Sequence, residues 1–212
     1  MEEKVVKIVA ISDTHQREVE LPWAHVLVHA GDACEVGSLD ELDRFVAWFG
    51  SHPHPVKILV AGNHDWPFQV ARKQAEEILK SSPSQITYLE DTGVRVNNKT
   101  FYGSPWQPEF CHWAFNLSGP DLKPKWDRIP IGLDVLITHG PPYGIGDLSS
   151  WDNRIGCRHL RERLKQVCPR YHVFGHNHAG YGSYRLGSTN CFNVSTCNER
   201  YEAKNPAVEF EI

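Results

Sequence analysis

Val5-Val6-Lys7-Ile8-Val9-Ala10-Ile11 is followed directly by Ser12-Asp13-Thr14-His15. The first stretch has strand length and β-branched bias, and its near-continuous apolar character fits a strand buried on both faces. The pattern recurs at Val26-Leu27-Val28 and at Val56-Lys57-Ile58-Leu59-Val60. Each run leads into polar residues: Gly31-Asp32 after the second, Gly62-Asn63-His64-Asp65 after the third. A helix is predicted between them. Ser38-Leu39-Asp40-Glu41 has the capping-box pattern, and Leu42, Phe45, Val46 and Phe49 recur at helical spacing. Gly50 and His52-Pro53-His54-Pro55 end it. A second helix is predicted over about 70–79, before Ser81-Ser82-Pro83. Strand, strand, helix, strand, helix is an α/β order.

Further along, 86–89, 94–96 and 100–102 read as short strands, the last two joined by an Asn97-Asn98-Lys99 turn. The stretch 104–130, rich in Pro, Trp and Gly, reads as a long loop. Leu133-Asp134-Val135-Leu136-Ile137 and His172-Val173-Phe174 are two more buried strands, running into Thr138-His139-Gly140 and Gly175-His176-Asn177-His178. A helix is predicted over 159–167, and strands at 184–185, 191–194 and 208–212. No repeat or internal boundary is visible, so 1–212 reads as a single domain of two packed sheets with helices outside.

Composition narrows the function classes. The 212 residues carry a formal net charge of −4 with 41% hydrophobic residues, ordinary for a water-exposed globular domain. Without a Lys/Arg-rich block, binding to long nucleic acid is not expected. No apolar run approaches the roughly 18 residues of a membrane span. The N-terminus, Met1-Glu2-Glu3-Lys4 before the first strand, is neither basic nor long enough for a secretory signal, so the expected compartment is the cytoplasm. Six cysteines without CxxC spacing then read as reduced thiols, and the three N-x-S/T sequons carry no meaning. Oligomeric state is not readable.

Five polar clusters at five strand ends converge if the strands are parallel, because the crevice beyond the carboxyl ends of such strands is where ligands bind. The adjacent glycines are expected to allow sharp turns there. Asp13, His15, Asp32 and His178 can hold one metal; Asp32, Asn63, His139 and His176 can hold a second, with Asp32 bridging. Oxygen and imidazole donors without thiolate point to Mn first, with Fe, Zn or Mg as alternatives. Two divalent ions against two carboxylates leave about two positive charges, which attract phosphate and activate water. His64, beside ligand Asn63, suits protonation of a leaving oxygen, with Glu35 a candidate to orient it. Trp106, Tyr143 and Arg154 are candidate substrate contacts on overhanging loops. His29, in the strand before Asp32, is a candidate supporting group behind the ligands.

The succession DxH, GD, GNHD, H and GHxH resembles the calcineurin-like metallophosphoesterase superfamily. Ile11-Ser12-Asp13-Thr14-His15, Tyr102-Gly103-Ser104-Pro105-Trp106, Thr138-His139-Gly140-Pro141-Pro142, Arg154-Ile155-Gly156-Cys157 and Ala179-Gly180-Tyr181-Gly182 resemble its metallophosphoesterase-domain-containing branch along nearly the whole chain. The resemblance implies a four-layer α/β/β/α sandwich of mixed sheets and a dinuclear site hydrolysing small phosphodiesters, including cyclic nucleotides, by attack of a metal-bridging hydroxide. The ligand roles above match the superfamily's residue by residue. Some relatives have lost a histidine of the last motif; here His176 and His178 are both present. Protein phosphatases of the superfamily carry an Arg after the acidic residue of the second motif, whereas Glu35 is followed by Val36-Gly37. Asp65 stands where many relatives have Glu. The superfamily's DNA-repair nucleases are larger. Two alternatives remain: a phosphomonoesterase with the same site, and a non-catalytic metal-binding scaffold.

Overall fold

The computed structural model describes residues 5–212. Chain order is β1 (Lys7–Ile11), β2 (Val26–Ala30), α1 (Leu39–Ser51), β3 (Val56–Val60), α2 (Pro67–Val70), α3 (Arg72–Lys80), β4 (Ile86–Tyr88), β5 (Thr92–Val96), β6 (Lys99–Ser104), β7 (Gln107–Pro108), β8 (Asn116–Leu117), α4 (Gly119–Asp127), β9 (Val135–Thr138), α5 (Arg158–Val167), β10 (Tyr171–Phe174), β11 (Gly182–Leu186), β12 (Thr189–Asn193) and β13 (Val208–Glu211). One sheet has the order β13-β1-β2-β3-β4, the other β11-β12-β10-β9-β6-β5. Antiparallel strands sit only at their edges: β13 in the first, β5 and β11 in the second. The central strands are parallel, so β1, β2 and β3 end together, as do β9 and β10.

Alternation along each strand builds the layers. Val26, Val28 and Ala30 face the other sheet together with Ile58, Val60, Val135, Ile137 and Val173. The intervening Leu27 and Leu59 face α1, against Leu42, Phe45, Val46 and Phe49. On the far side, Leu136 meets Leu160 and Leu164 of α5. The result is the four-layer α/β/β/α sandwich. The capping box at α1 is formed, with Ser38 Oγ accepting from Glu41 N–H at 3.2 Å.

Two expectations are corrected. The segment 104–130 is not all loop: it holds the β7–β8 pair and α4. Pro120 occupies the first turn, where its missing N–H costs nothing, and Leu122 and Trp126, one turn apart, are buried against α5. Pro124 hid this helix, which packing sustains despite poor propensity. The helix expected over 70–79 starts earlier and is broken at Ala71 (φ −132°, ψ 40°) into α2 and α3. No described helix is long and apolar enough to cross a membrane. All six cysteines are free.

His172, outside the metal motifs, is fully buried in β10. Thr138 Oγ1 donates to Gly140 O (2.8 Å) and so accepts from His172 Nε2–H (2.8 Å). Burial holds this imidazole down at about 3. Above pH 6.5 it is neutral in both folded and unfolded chains. Below that the unfolded chain takes a proton that the folded chain refuses, so stability is lost on acidification until about pH 3. His172→Leu is therefore expected to flatten the fall in stability between pH 6 and 4 by up to about 1.4 kcal/mol per pH unit. Denaturant titrations of both proteins at several pH values read this directly; parallel slopes would contradict it.

Candidate metal centre

The motifs meet where the parallel strands end. Asp13 and His15 follow β1, Asp32 follows β2, Asn63 and His64 follow β3, His139 follows β9, and His176 and His178 follow β10. The turns are made largely by the polar residues themselves: φ is +49° at Asp13, +43° at His15, +59° at Asp32 and +66° at His176. Such left-handed conformations cost a non-glycine residue about 1 kcal/mol or more and persist where the surroundings over-determine them. The expectation that the glycines provide the sharp turns holds for Gly31 (φ +101°). Gly62 is needed for a different reason: a Cβ there would run into the Asp32 carboxylate and backbone.

Two donor clusters share one oxygen. Asp32 Oδ2 lies 3.3 Å from His139 Nε2 on one side and 3.9 Å from His15 Nε2 on the other. In the first cluster Asn63 Oδ1 is 3.0 Å from His139 Nε2 and 2.8 Å from His176 Nδ1. In the second, His178 Nε2 is 3.4 Å from Asp13 Oδ1 and 3.3 Å from His15 Nε2. Donors at right angles on a cation at about 2.1 Å are separated by about 3 Å, so these spacings suit metal edges. The seven residues proposed as ligands are thus brought together.

The tautomers support cations. Nδ1–H donates to a backbone carbonyl in His15 (Cys34 O, 3.0 Å), His139 (Ala30 O, 3.0 Å) and His178 (Asn198 O, 2.9 Å). This turns three Nε2 lone pairs inward, the usual arrangement behind a metal-bound imidazole. The His15 and His178 Nε2 atoms face one another across 3.3 Å, a gap that a proton on His178 can bridge and a cation would fill. The charges around the carboxylates point the same way. Burial alone would raise the Asp13 and Asp32 carboxyls, yet His178 and His139 respectively hold both well below the usual range. Burial opposes charge on His139, but Asp32 lifts it to about 9. Burial keeps His176 at about 3, ready as a neutral ligand. The pocket favours positive charge in the middle and neutral imidazole at its edge. The donor set therefore fits two divalent ions.

His64 sits at the mouth, with Nε2 4.0 Å from Asp32 Oδ2. That brings it into one candidate donor group with His15 and Asp32, beyond the seven ligands expected from the sequence. Its Nδ1–H donates to the backbone carbonyl of Glu35 at 2.5 Å. Glu35 thus touches His64 through its main chain; its carboxylate instead pairs with Arg17 at the surface (3.3 Å).

The three residues expected over the site lie elsewhere. Trp106 donates from Nε1 to Asp91 (2.9 Å), and Lys125 caps its ring. Arg158 covers the Tyr143 ring at 3.7 Å. Arg154 pairs with buried Asp147 at 2.6 Å. None of the three lines the metal cleft. His29 is buried and donates from Nε2 to Thr14 Oγ1 (3.0 Å), behind Asp13 and His15.

Several supporting residues escaped the sequence reading. Asp65 accepts from the backbone N–H groups of Gly62 (2.7 Å), Asp32 (2.9 Å), Ala33 (3.3 Å) and Cys34 (2.9 Å), binding the loop after β3 to the loop after β2. Burial, then the Asp32 charge, push its carboxyl up to about 6 despite those donors. Ser195 Oγ donates to Asp13 Oδ2 (2.9 Å), while Oδ1, which also accepts from His176 N–H (3.0 Å), faces His178. Trp113 stacks on His64, and Tyr201 packs edge-on against His15 and His178. Only Asp65, inside a motif, had a sequence signal; the others arrive on loops without one.

Residues 6–180 match the family described as calcineurin-like phosphoesterase. The chain belongs to this family. It is 39% identical over 230 residues to metallophosphoesterase domain-containing protein 1 of Homo sapiens, covering 97% of this chain and 71% of that one. Among solved structures, one crystal structure superposes with TM-score 0.76 at 16% identity, covering 98% of this chain and 95% of the other. TT1561 of Thermus thermophilus gives 0.63 at 14% identity, covering 90% and 89%. At those identities the likeness concerns the fold alone. Family membership supports a metal-dependent phosphoester hydrolase with a small phosphoester as substrate.

Proposed function

We propose that this protein is a dinuclear phosphodiesterase acting on small phosphodiesters, cyclic nucleotides among the candidates. Asp13, His15, Asp32 and His178 would hold one cation; Asp32, Asn63, His139 and His176 would hold the other. The observation that carries the reading is the single oxygen, Asp32 Oδ2, facing both donor clusters. When bound, two divalent ions, Mn foremost, supply Lewis acidity toward the phosphoryl oxygens and a nucleophile from water near neutral pH. The protein's residues do the rest. His64 presents Nε2 to the leaving oxygen, and donation from its Nδ1 to Glu35 O keeps the ring in position as the proton leaves. Asp65 fixes the backbone from which Asp32 and His64 project.

The lining of the cleft supports the diester reading over the monoester one. It encloses about 330 Å³, and neither Lys nor Arg is among the described residues lining it, whereas Glu199 is. Of the roughly two positive charges left at the centre, a hydroxide nucleophile would offset one and a monoanionic diester the other. A dianionic monoester would then leave one negative charge unmet, with neither Lys nor Arg on the walls to take it. The test is parallel hydrolysis of bis-p-nitrophenyl phosphate and p-nitrophenyl phosphate by chelator-treated protein with Mn²⁺ restored. Metal-dependent turnover favouring the diester is expected. Preference for the monoester would replace the reading by a phosphatase, and two bound metals without turnover of either would favour a scaffold.

A further inference from the structure

Trp151 is 84% exposed, the most exposed of the described large apolar side chains. It is not on a ragged loop. Leu148 and Arg154 form an antiparallel bridge, Ser149 N–H donates to Asn153 O (2.9 Å), and Asp152 N–H donates back to Ser149 O (3.0 Å). Trp151 is therefore held at the tip of a tight hairpin. The Arg154–Asp147 pair braces its base. Asn177, between His176 and His178, donates from Nδ2 to Gly146 O (2.8 Å) and Leu148 O (3.0 Å), tying the hairpin to the metal centre.

The same cleft exposes two further rings, Phe110 (47%) and Tyr201 (41%). Phe110 meets the His176 ring edge-on at 5.6 Å, beside one donor cluster; Tyr201 meets His15 and His178 at 4.8 and 5.2 Å, beside the other. Three exposed aromatics around one cleft without a lining Lys or Arg form an apolar collar on a site built for an anion. Solvent-facing rings gathered in this way mark a ligand surface.

Resting on the phosphodiesterase reading, we infer that the substrate carries a flat aromatic or heteroaromatic ester group beside its phosphate, and that Trp151 is the residue selecting it. The phosphate sits at the metal donors and the ring lies against Trp151, with Phe110 and Tyr201 excluding water around it. Ring-on-ring stacking needs no particular hydrogen-bond pattern, so the hairpin selects for a planar face rather than for one base or one aryl group.

The test keeps the leaving group constant. Mn²⁺-loaded protein is given methyl p-nitrophenyl phosphate and phenyl p-nitrophenyl phosphate, and the ratio of their kcat/KM values is taken. A ratio of about tenfold in favour of the phenyl ester is expected, collapsing towards one in Trp151→Ala and largely restored in Trp151→Phe. A ratio near one in the unaltered protein, or one that Trp151→Ala leaves intact, overturns the inference while the phosphodiesterase reading stands. If neither ester turns over, the phosphodiesterase reading fails by itself. Calorimetric binding of diphenyl and dimethyl phosphate then decides the collar: a preference for diphenyl phosphate lost in Trp151→Ala supports it, and equal affinities refute it.

Discussion

Asp32→Asn is expected to lose paired metal binding and turnover together while remaining folded. The substitution is close to isosteric, and Asn tolerates the φ of +59° at this position as well as Asp does. An amide oxygen can still accept the His64 N–H, now held at 2.8 Å by Asp32 Oδ1. What disappears is the one negative charge placed between the two donor clusters. Two dications a few ångströms apart repel strongly, and Asp32 Oδ2 is the oxygen able to face both. In the metal-free protein the same change relieves repulsion on the Asp65 carboxyl but removes the charge that lifts His139 to about 9. Metal-free Asp32→Asn should therefore melt lower than the unaltered protein but still fold, and added Mn²⁺ should no longer raise its Tm. Metal content should fall below two per chain. Turnover should drop by more than the roughly 10²-fold that losing a residue behind a ligand can cost. Metal analysis, melting with and without Mn²⁺, and diester hydrolysis check the three parts. Two retained metals with normal turnover would remove Asp32 from the shared position.

The parallel strands explain why so much of the centre is legible in the sequence. A strand buried on both faces must be apolar, so a polar cluster directly after it marks a strand end. Asp13, Asp32, Asn63, His139 and His176 all stand there, and parallel pairing brings those ends to one edge. Periodicity also suffices for α1 and α5, whose buried faces recur at helical spacing. Loops obey no such rule. Trp106 resembles a substrate contact on a Pro-rich segment, but its indole N–H has a closer use at Asp91, and the ring packs in the core below. Trp113, seven residues later, reaches His64 because Ala114 N–H donates to Asn63 O (3.1 Å). That tie depends on the path of the backbone. Glu35 shows the same limit at one residue: the right position is legible, but the backbone oxygen rather than the carboxylate makes the contact.

His64→Ala separates proton delivery from metal binding. His64 Nε2 is 4.0 Å from Asp32 Oδ2, whereas the proposed ligand donors approach one another at 2.8–3.9 Å. Its other nitrogen is occupied by Glu35 O, and one ring face is covered by Trp113 at 4.1 Å. The ring is therefore fixed by the protein, without needing a metal to hold it, and its Nε2 is free for a substrate oxygen. Truncation should leave two metals bound and lower kcat by roughly 10²-fold or more, the usual contribution of a positioned general acid. The loss should shrink as the leaving group improves, because p-nitrophenolate departs with little help whereas an alkoxide needs the proton. Comparing the variant's deficit on a p-nitrophenyl and an alkyl leaving group therefore distinguishes proton donation from simple damage to the site. An equal deficit on both, with metals retained, would assign His64 to binding the phosphoryl group. A lost metal would make it a ligand, joining His15 and Asp32 in the group they already form.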